Sequence, residues 1–221
     1  MRLMRESEVK ETKYFMSPVS FLDAEIEVPK EFAYENVMVK GSVQTGKTSK
    51  VLIPLYKEFD YGKLYICVKD NYYSQIVDED TVVVDLDGDE VPSPEEIVSC
   101  LIKGQAVYLP LKISSDRNKS AELVNGIFRN LLVRKGELTA PVLIAFDDIS
   151  YAVRVDCLLE FLASSAEGRS KDKDKNVYLA STLCYTKQLI GLYTEEEVEE
   201  IKKHVTMVDV EKQPIEYKYH I

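Results

Sequence analysis

Between positions 41 and 48 the chain reads Gly41-Ser42-Val43-Gln44-Thr45-Gly46-Lys47-Thr48. Two glycines let the backbone wrap until several N–H groups point at one centre, and a lysine and a hydroxyl follow at once. Such a set suits an anion with several oxygens, above all a phosphate chain. The flanks agree with that chemistry. The apolar run "ENVMVKG" before the loop reads as a strand, and "KTSKVLIPLYKEF" after it as a helix whose first turn adds partial positive charge at the same point.

Glycine, four residues, then Gly-Lys-Thr between a strand and a helix is the P-loop pattern. It assigns Gly41, Ser42, Val43, Gln44, Thr45, Gly46, Lys47, Thr48 and Ser49 to nucleotide binding, with Thr45 and Gly46 as backbone donors. Lys47 is expected to reach the β and γ phosphates of ATP, and the Thr48 hydroxyl to ligate Mg²⁺. The run "PVLIAFDD" supplies a partner motif: an apolar strand ends in two carboxylates, and Asp147 lies 100 positions after Lys47. Asp147 is placed to hold the Mg²⁺ shell and Asp148 to polarise an attacking water. Taken singly, the loop is also a glycine-bounded turn and Asp147-Asp148 also a solvated strand end. The two motifs in this order favour nucleotide chemistry.

The elements that must position these groups alternate between strand and helix, which is the pattern of an α/β fold with a mainly parallel sheet. "GKLYICVKD", "TVVVDLDG", "QAVYLPL", "APVLIAFDD" and "VYLAST" read as further strands. "SPEEIVSCLIKG" reads as a short helix with Ser93 as N-cap and Pro94 in its first turn. "SAELVNGIFRNLLVRKG" has helical spacing up to Gly136, and a further helix is expected from about Tyr151 to Ala166. "TEEEVEEIKK" starts at Thr194 with acids in its first turn, and "HVTMVDVEKQPIEYKYHI" alternates about Gln213-Pro214 as a closing hairpin. Residues 1–30 lack a sustained period and read as an arm or small strand pair, with residues 31–221 as the P-loop domain.

Composition sets the outer limits. A chain of 221 residues with 45% apolar and 30% charged residues is sized for one compact domain. No apolar run approaches the roughly 18 residues of a membrane span, so membrane insertion is not expected. The opening "MRLMRESEVKETKYFM" lacks the apolar core of a secretory signal, and the expected location is the cytoplasm, that of a host if the protein is viral. Cys67, Cys100, Cys157 and Cys184 form no CxxC pair, and with only His204 and His220 beside them they argue against a zinc site. The net charge of −10 argues against a uniformly basic nucleic-acid coat and leaves room for a local basic rim.

Phosphate binding is shared by kinases, switches and motors, so the remainder of the site has to discriminate. No lid with paired arginines suggests a small-molecule kinase, and no NKxD guanine reader is present. Adjacent acids at the second motif point to the additional-strand ATPases, in which one strand lies between the P-loop strand and the acid-bearing strand and water is the nucleophile.

From about Glu35 onward the chain resembles the FtsK/HerA superfamily of DNA-pumping ATPases, closest in size and layout to compact viral genome-packaging ATPases. The resemblance is carried by "GSVQTGKT", "VLIAFDDIS", a helix leading into "SSAEGRSKDKDKNVYLAST", a Glu- and Lys-rich helix, and the closing hairpin. It implies an arginine acting on a neighbour's site, matched by Arg169 with Arg154 and Arg129 behind it. It also implies a polar sensor at the end of the following strand, matched by Ser181-Thr182. The chain departs from the family in having Asp148 where glutamate is usual, and Leu183 where a sensor glutamine is expected, leaving Thr182 or Gln188 as substitutes. Arg169 also sits in a charged loop with Lys171, Lys173 and Lys175, which suits contact with a DNA backbone equally well.

The resemblance implies ATP and Mg²⁺ as cofactors, double-stranded DNA as substrate, a homo-oligomeric ring, and a capsid or other viral protein as further partner. The leading expectation is a motor that packages a viral or mobile-element genome. A helicase loader or protein-remodelling ATPase is the alternative, and a P-loop protein that binds nucleotide without turnover is the third.

Overall fold

The computed structural model describes residues 10–13, 30–69, 71–111, 117–149, 153–168, 175–211 and 216–219. In chain order the elements are β1 (Lys10–Lys13), β2 (Val37–Lys40), α1 (Ile53–Glu58), β3 (Gly62–Cys67), α2 (Tyr73–Ile76), β4 (Val82–Val83) and α3 (Pro94–Ile102). There follow β5 (Ala106–Pro110), α4 (Arg117–Val133), β6 (Val142–Phe146), α5 (Leu158–Gly168), β7 (Val177–Leu183), α6 (Glu195–Lys203), β8 (Thr206–Asp209) and β9 (Glu216–Tyr219).

These strands make one sheet in the order β1-β9-β8-β2-β7-β6-β3-β5-β4. The seven from β8 to β4 are parallel, and β9 and β1 close one side antiparallel. A parallel sheet needs crossovers, which cover both faces with helices and bury the central strands completely. Alternation then sends Leu64 and Ile66 to one face, and Tyr65 and Cys67 to the other. The first face packs under α3 to α6, where Phe128 of α4 meets Phe161 of α5 edge to face at 4.9 Å. The second packs under α1 and the preceding helical turns through Val51, Leu52, Leu55 and Tyr56.

The α/β architecture expected from the alternating pattern is present, and β7 lies between the P-loop strand β2 and the acid-bearing strand β6. Three boundaries differ from the sequence expectation. The strand expected across "TVVVDLDG" pairs only at Val82–Val83, because the Asp85 carboxylate accepts from the Asp87 N–H and turns the chain away. Of the helix expected from about Tyr151 to Ala166, residues 150–152 lie outside the described residues, 153–157 are not helical, and α5 runs from Leu158. Asn125 of α4 holds the backbone ahead of it, donating to the Arg154 carbonyl and accepting from the Asp156 N–H, while the Tyr193 hydroxyl accepts from the Val155 N–H. Finally, the helix after the loop opens with a wide turn over Lys47–Leu52, in which the Ile53 N–H reaches the Thr48 carbonyl. Pro54 accounts for the widening: it has no N–H for the Lys50 carbonyl, and its ring would crowd that carbonyl in a regular turn. The closing strands β8 and β9 pair antiparallel, with Gln213-Pro214 outside the described residues.

One buried polar residue fixes the root of the P-loop strand. Asn36, fully buried immediately before β2, donates to the Leu162 and His204 carbonyls at 3.3 Å each. Its Oδ1 accepts from the Leu179 N–H at 3.1 Å, with the Ser165 hydroxyl also within reach. Two helices and the neighbouring strand are thereby referred to one side chain. Truncation leaves those groups unsatisfied in the interior, so Asn36→Ala is expected to cost about 3 kcal/mol. In thermal unfolding that corresponds to a drop of roughly 6–12 °C for a chain of this size; a drop under about 2 °C would contradict the assignment.

Candidate functional site: the loop between β2 and α1

The loop leaves β2 at Gly41, whose N–H donates to the Leu183 carbonyl at the end of β7. A Cβ at Gly41 would come within 2.5 Å of the Val210 side chain and 2.7 Å of the Thr45 hydroxyl, so no larger residue fits where the loop crosses the end of β8. Gly46, at φ +85°, turns the chain through the left-handed region into the helix. Gln44 adopts the same region at φ +67°, and Val43 beside it is 69% exposed at the loop tip. Thr45 folds inward, its hydroxyl donating to the Ser42 carbonyl at 2.9 Å. Ser49 is exposed in the first helical turn.

Lys47 is almost fully buried and threads its ammonium beneath the loop. Nζ donates to the Gly41 carbonyl at 2.5 Å and the Ser42 carbonyl at 2.7 Å, and lies 3.7 Å from Cys184 Sγ. The loop carbonyls are thus drawn onto the lysine. The ammonium stays inside the curve of the loop, where a phosphate chain held by the N–H groups would meet it.

Next to the lysine a chain of hydrogen bonds links the first helical turn after the loop to the ends of β6 and β7. The Thr48 hydroxyl donates to Asp147 Oδ1 at 2.8 Å, and the Thr182 hydroxyl donates to the same oxygen at 2.7 Å. Thr182 Oγ1 in turn accepts from the Asp148 N–H at 2.7 Å. That bond holds Asp148 at φ +59°, a conformation aspartate tolerates better than most residues. Asp147 is kept at the end of β6 by its own N–H, which donates to the Ile66 carbonyl at 2.8 Å.

A hydroxyl and a carboxylate 2.8 Å apart at the rim of a phosphate-binding loop fit Mg²⁺, a hard cation that takes one or two protein oxygens and completes its shell with phosphate and water. Thr48 and Asp147 would hold the ion, which would neutralise charge on the phosphate oxygens. Asp148, partly exposed on the next residue, has a carboxylate that can orient water.

The structure therefore brings Lys47, Thr48, Asp147, Asp148 and Thr182 together. Gln188 is engaged elsewhere, its Oε1 accepting from the Tyr185 N–H at the start of a tight turn over Thr186–Gly191, and Leu183 is buried. Arg169 lies outside the described residues. Arg154 is held by Glu197 at 2.8 Å and stacks on Tyr193, and Arg129 pairs with Asp156 at 2.9 Å. With Arg117 these two arginines border an open cleft of about 650 Å³ between α4 and residues 153–156. Among the described residues no helix is long and apolar enough to cross a membrane.

Sequence reasoning missed two contacts on the loop. Glu211, just past β8, accepts from the Ser42 N–H at 2.7 Å, and the Tyr185 hydroxyl lies 3.4 Å from Ser42 Oγ. Both partners are more than 140 positions from Ser42, and only the strand order β8-β2-β7 makes them neighbours.

No protein-family model matches the chain, and no curated protein does. Among solved structures it is similar to the genome packaging NTPase B204 from Sulfolobus turreted icosahedral virus 2, determined in complex with AMPPCP. The identity is 14% and the TM-score 0.37, with 86% of this chain and 99% of that one covered. The chemistry assigned to the site rests on its own residues and not on this likeness.

Burial above all raises the Asp147 carboxyl above its ordinary 3.8, with the Asp148 charge adding to it and the hydrogen bonds from Thr182 and Thr48 and the Lys47 charge opposing. A carboxyl with a raised folded pKa binds its proton more tightly when folded. Its ionised form therefore costs stability above that pKa, and the cost fades as pH falls through it. Without metal or nucleotide, Asp147→Asn is expected to melt higher than the native chain at neutral pH. The difference should shrink on acidification. A lower melting temperature at neutral pH would contradict this account of the carboxylate.

Proposed function

We propose that this chain is a Mg²⁺-dependent ATPase that drives double-stranded DNA, working as a ring of copies to package a viral or mobile-element genome. The observation that carries the ATPase reading is the hydrogen-bonded chain Thr48–Asp147–Thr182–Asp148 beside the buried Lys47 ammonium. It joins the phosphate loop, a metal-holding carboxylate and a water-orienting carboxylate across adjacent strands.

In this reading the loop from Gly41 to Ser49 holds the phosphates, and Lys47 stabilises charge on the β and γ groups. Thr48 and Asp147 would hold Mg²⁺, which when bound would neutralise charge on the phosphate oxygens. Asp148 takes the proton of the attacking water, and Thr182 keeps both aspartates in register as the phosphate departs. Arg169 of a neighbouring copy would stabilise the transferred group, since Arg154 and Arg129 already have carboxylate partners. The packaging role is supported by the resemblance of the motif set to compact packaging motors and by the additional-strand order. A helicase loader or protein-remodelling ATPase would use the same site, and the net charge of −10 favours it.

Phosphate release from ATP, followed with and without linear double-stranded DNA over a range of protein concentration, separates these readings. The motor requires turnover that rises with DNA, steepens with protein concentration and is abolished in Lys47→Ala. Turnover indifferent to DNA would contradict translocation and select the loader. A second expectation concerns the interposed strand. Thr182→Val removes one donor from Asp147 and the acceptor of the Asp148 N–H, so turnover is expected to fall about tenfold or more with nucleotide affinity nearly unchanged. Thr182→Ser should restore most of it, and an unaltered rate in the valine variant would remove Thr182 from the mechanism.

A further inference from the structure

The geometry points to a residue that the motifs do not assign: we propose that Tyr185 donates its hydroxyl to the terminal phosphate of the bound nucleotide and makes the site tell ATP from ADP. The inference rests on the ATPase reading above and deepens it.

Beyond Thr182, strand β7 runs through the buried Leu183 to Cys184 and Tyr185. Cys184 Sγ stands 3.7 Å from Lys47 Nζ, and the Tyr185 hydroxyl 3.4 Å from Ser42 Oγ. Lys47 Nζ is itself bonded to the Ser42 carbonyl, so the tyrosine hydroxyl and the ammonium meet the same residue of the loop. That ammonium marks where the β and γ phosphates are reached. Thr182 and Gln188, on either side of the tyrosine in the chain, are engaged. Thr182 donates to Asp147 while accepting from Asp148, and Gln188 accepts from the Tyr185 N–H.

Tyr185 is fixed at its backbone. Its φ of −142° and ψ of 138° are extended, the Gln188 bond fixes its N–H at 3.1 Å, and the tight turn over Thr186–Gly191 follows directly. The ring is 51% exposed. A large side chain left half in solvent, fixed at its base and with its hydroxyl beside the loop, is suited to add one directed hydrogen bond. A phenol is both donor and acceptor, so it can keep Ser42 as donor to itself and give its own proton to a phosphate oxygen. ADP lacks that oxygen.

The test compares binding of ADP and of a non-hydrolysable ATP analogue, each with Mg²⁺, to the full chain, to Tyr185→Phe and to Tyr185→Ala, with phosphate release measured in parallel. Loss of one hydrogen bond to a charged group implies that Tyr185→Phe weakens the ATP analogue about tenfold or more while ADP binds as before. The ATP concentration that half-saturates phosphate release should rise by a similar factor, and Tyr185→Ala should behave alike. Equal weakening of both nucleotides would make Tyr185 a prop for the loop and overturn the proposal. So would an unchanged ratio of the two affinities. If the native chain binds neither nucleotide, the ATPase reading itself falls, an outcome distinct from failure of the tyrosine alone.

Discussion

Everything in the site refers to one partly buried carboxylate. Asp147 ends a fully buried strand, and an ionised group there is tolerable only with good donors around it. Two threonines supply them, one from the helix after the phosphate loop and one from the strand between loop and acid. Each of those hydroxyls reaches Asp147 only if β2, β7 and β6 lie side by side, parallel and in this register, with Val39 opposite Thr182 and Phe146 opposite Ser181. The demand for hydrogen bonds at a single oxygen thus ties the sheet order to the site.

The same constraint explains why the loop is stiff. Lys47 satisfies its buried ammonium on the loop's own carbonyls, Gly41 is clamped against β7 and Val210, and Glu211 accepts the Ser42 N–H. Further down, Asn36 repeats the arrangement at the opposite end of β2 by satisfying backbone groups from α5, β7 and the residue after α6. The P-loop strand is therefore pinned at both ends by polar groups and along its length by apolar packing. A site that has to bind a highly charged ligand without reorganising gains from this preorganisation.

Much of this was legible in the residues. Alternating apolar runs and helical spacings carry the α/β layout, because a strand buried on both faces has to be continuously apolar and a covering helix has to be amphipathic. The N-caps Ser93 and Thr194 were visible as local spacings, and each closes a capping box, with Glu96 and Glu197. What was illegible depends on contacts distant in sequence. The non-helical run ahead of α5 at residues 153–157 is held by Asn125 and Tyr193, and nothing local in the sequence announces either. Pro54 signals a disturbed helix, but whether it kinks, ends or widens the turn depends on the loop ahead of it. In the site, Lys47, Thr48, Asp147 and Asp148 could be named from two motifs. The choice of Thr182 over Gln188, and the presence of Tyr185 and Glu211, needed the strand order.

The central claim is that nucleotide enters this loop and that Mg²⁺ takes the place of the hydrogen bond between Thr48 and Asp147. The measurement that addresses it most directly is a crystal structure of the full chain with a non-hydrolysable ATP analogue and Mg²⁺. The account requires the phosphates inside the curve of residues 41–49, the ion on the Thr48 hydroxyl and beside Asp147, and the Thr182 bonds to both aspartates intact. An analogue bound away from the loop, or one in the loop with Asp147 turned from the metal, would contradict it.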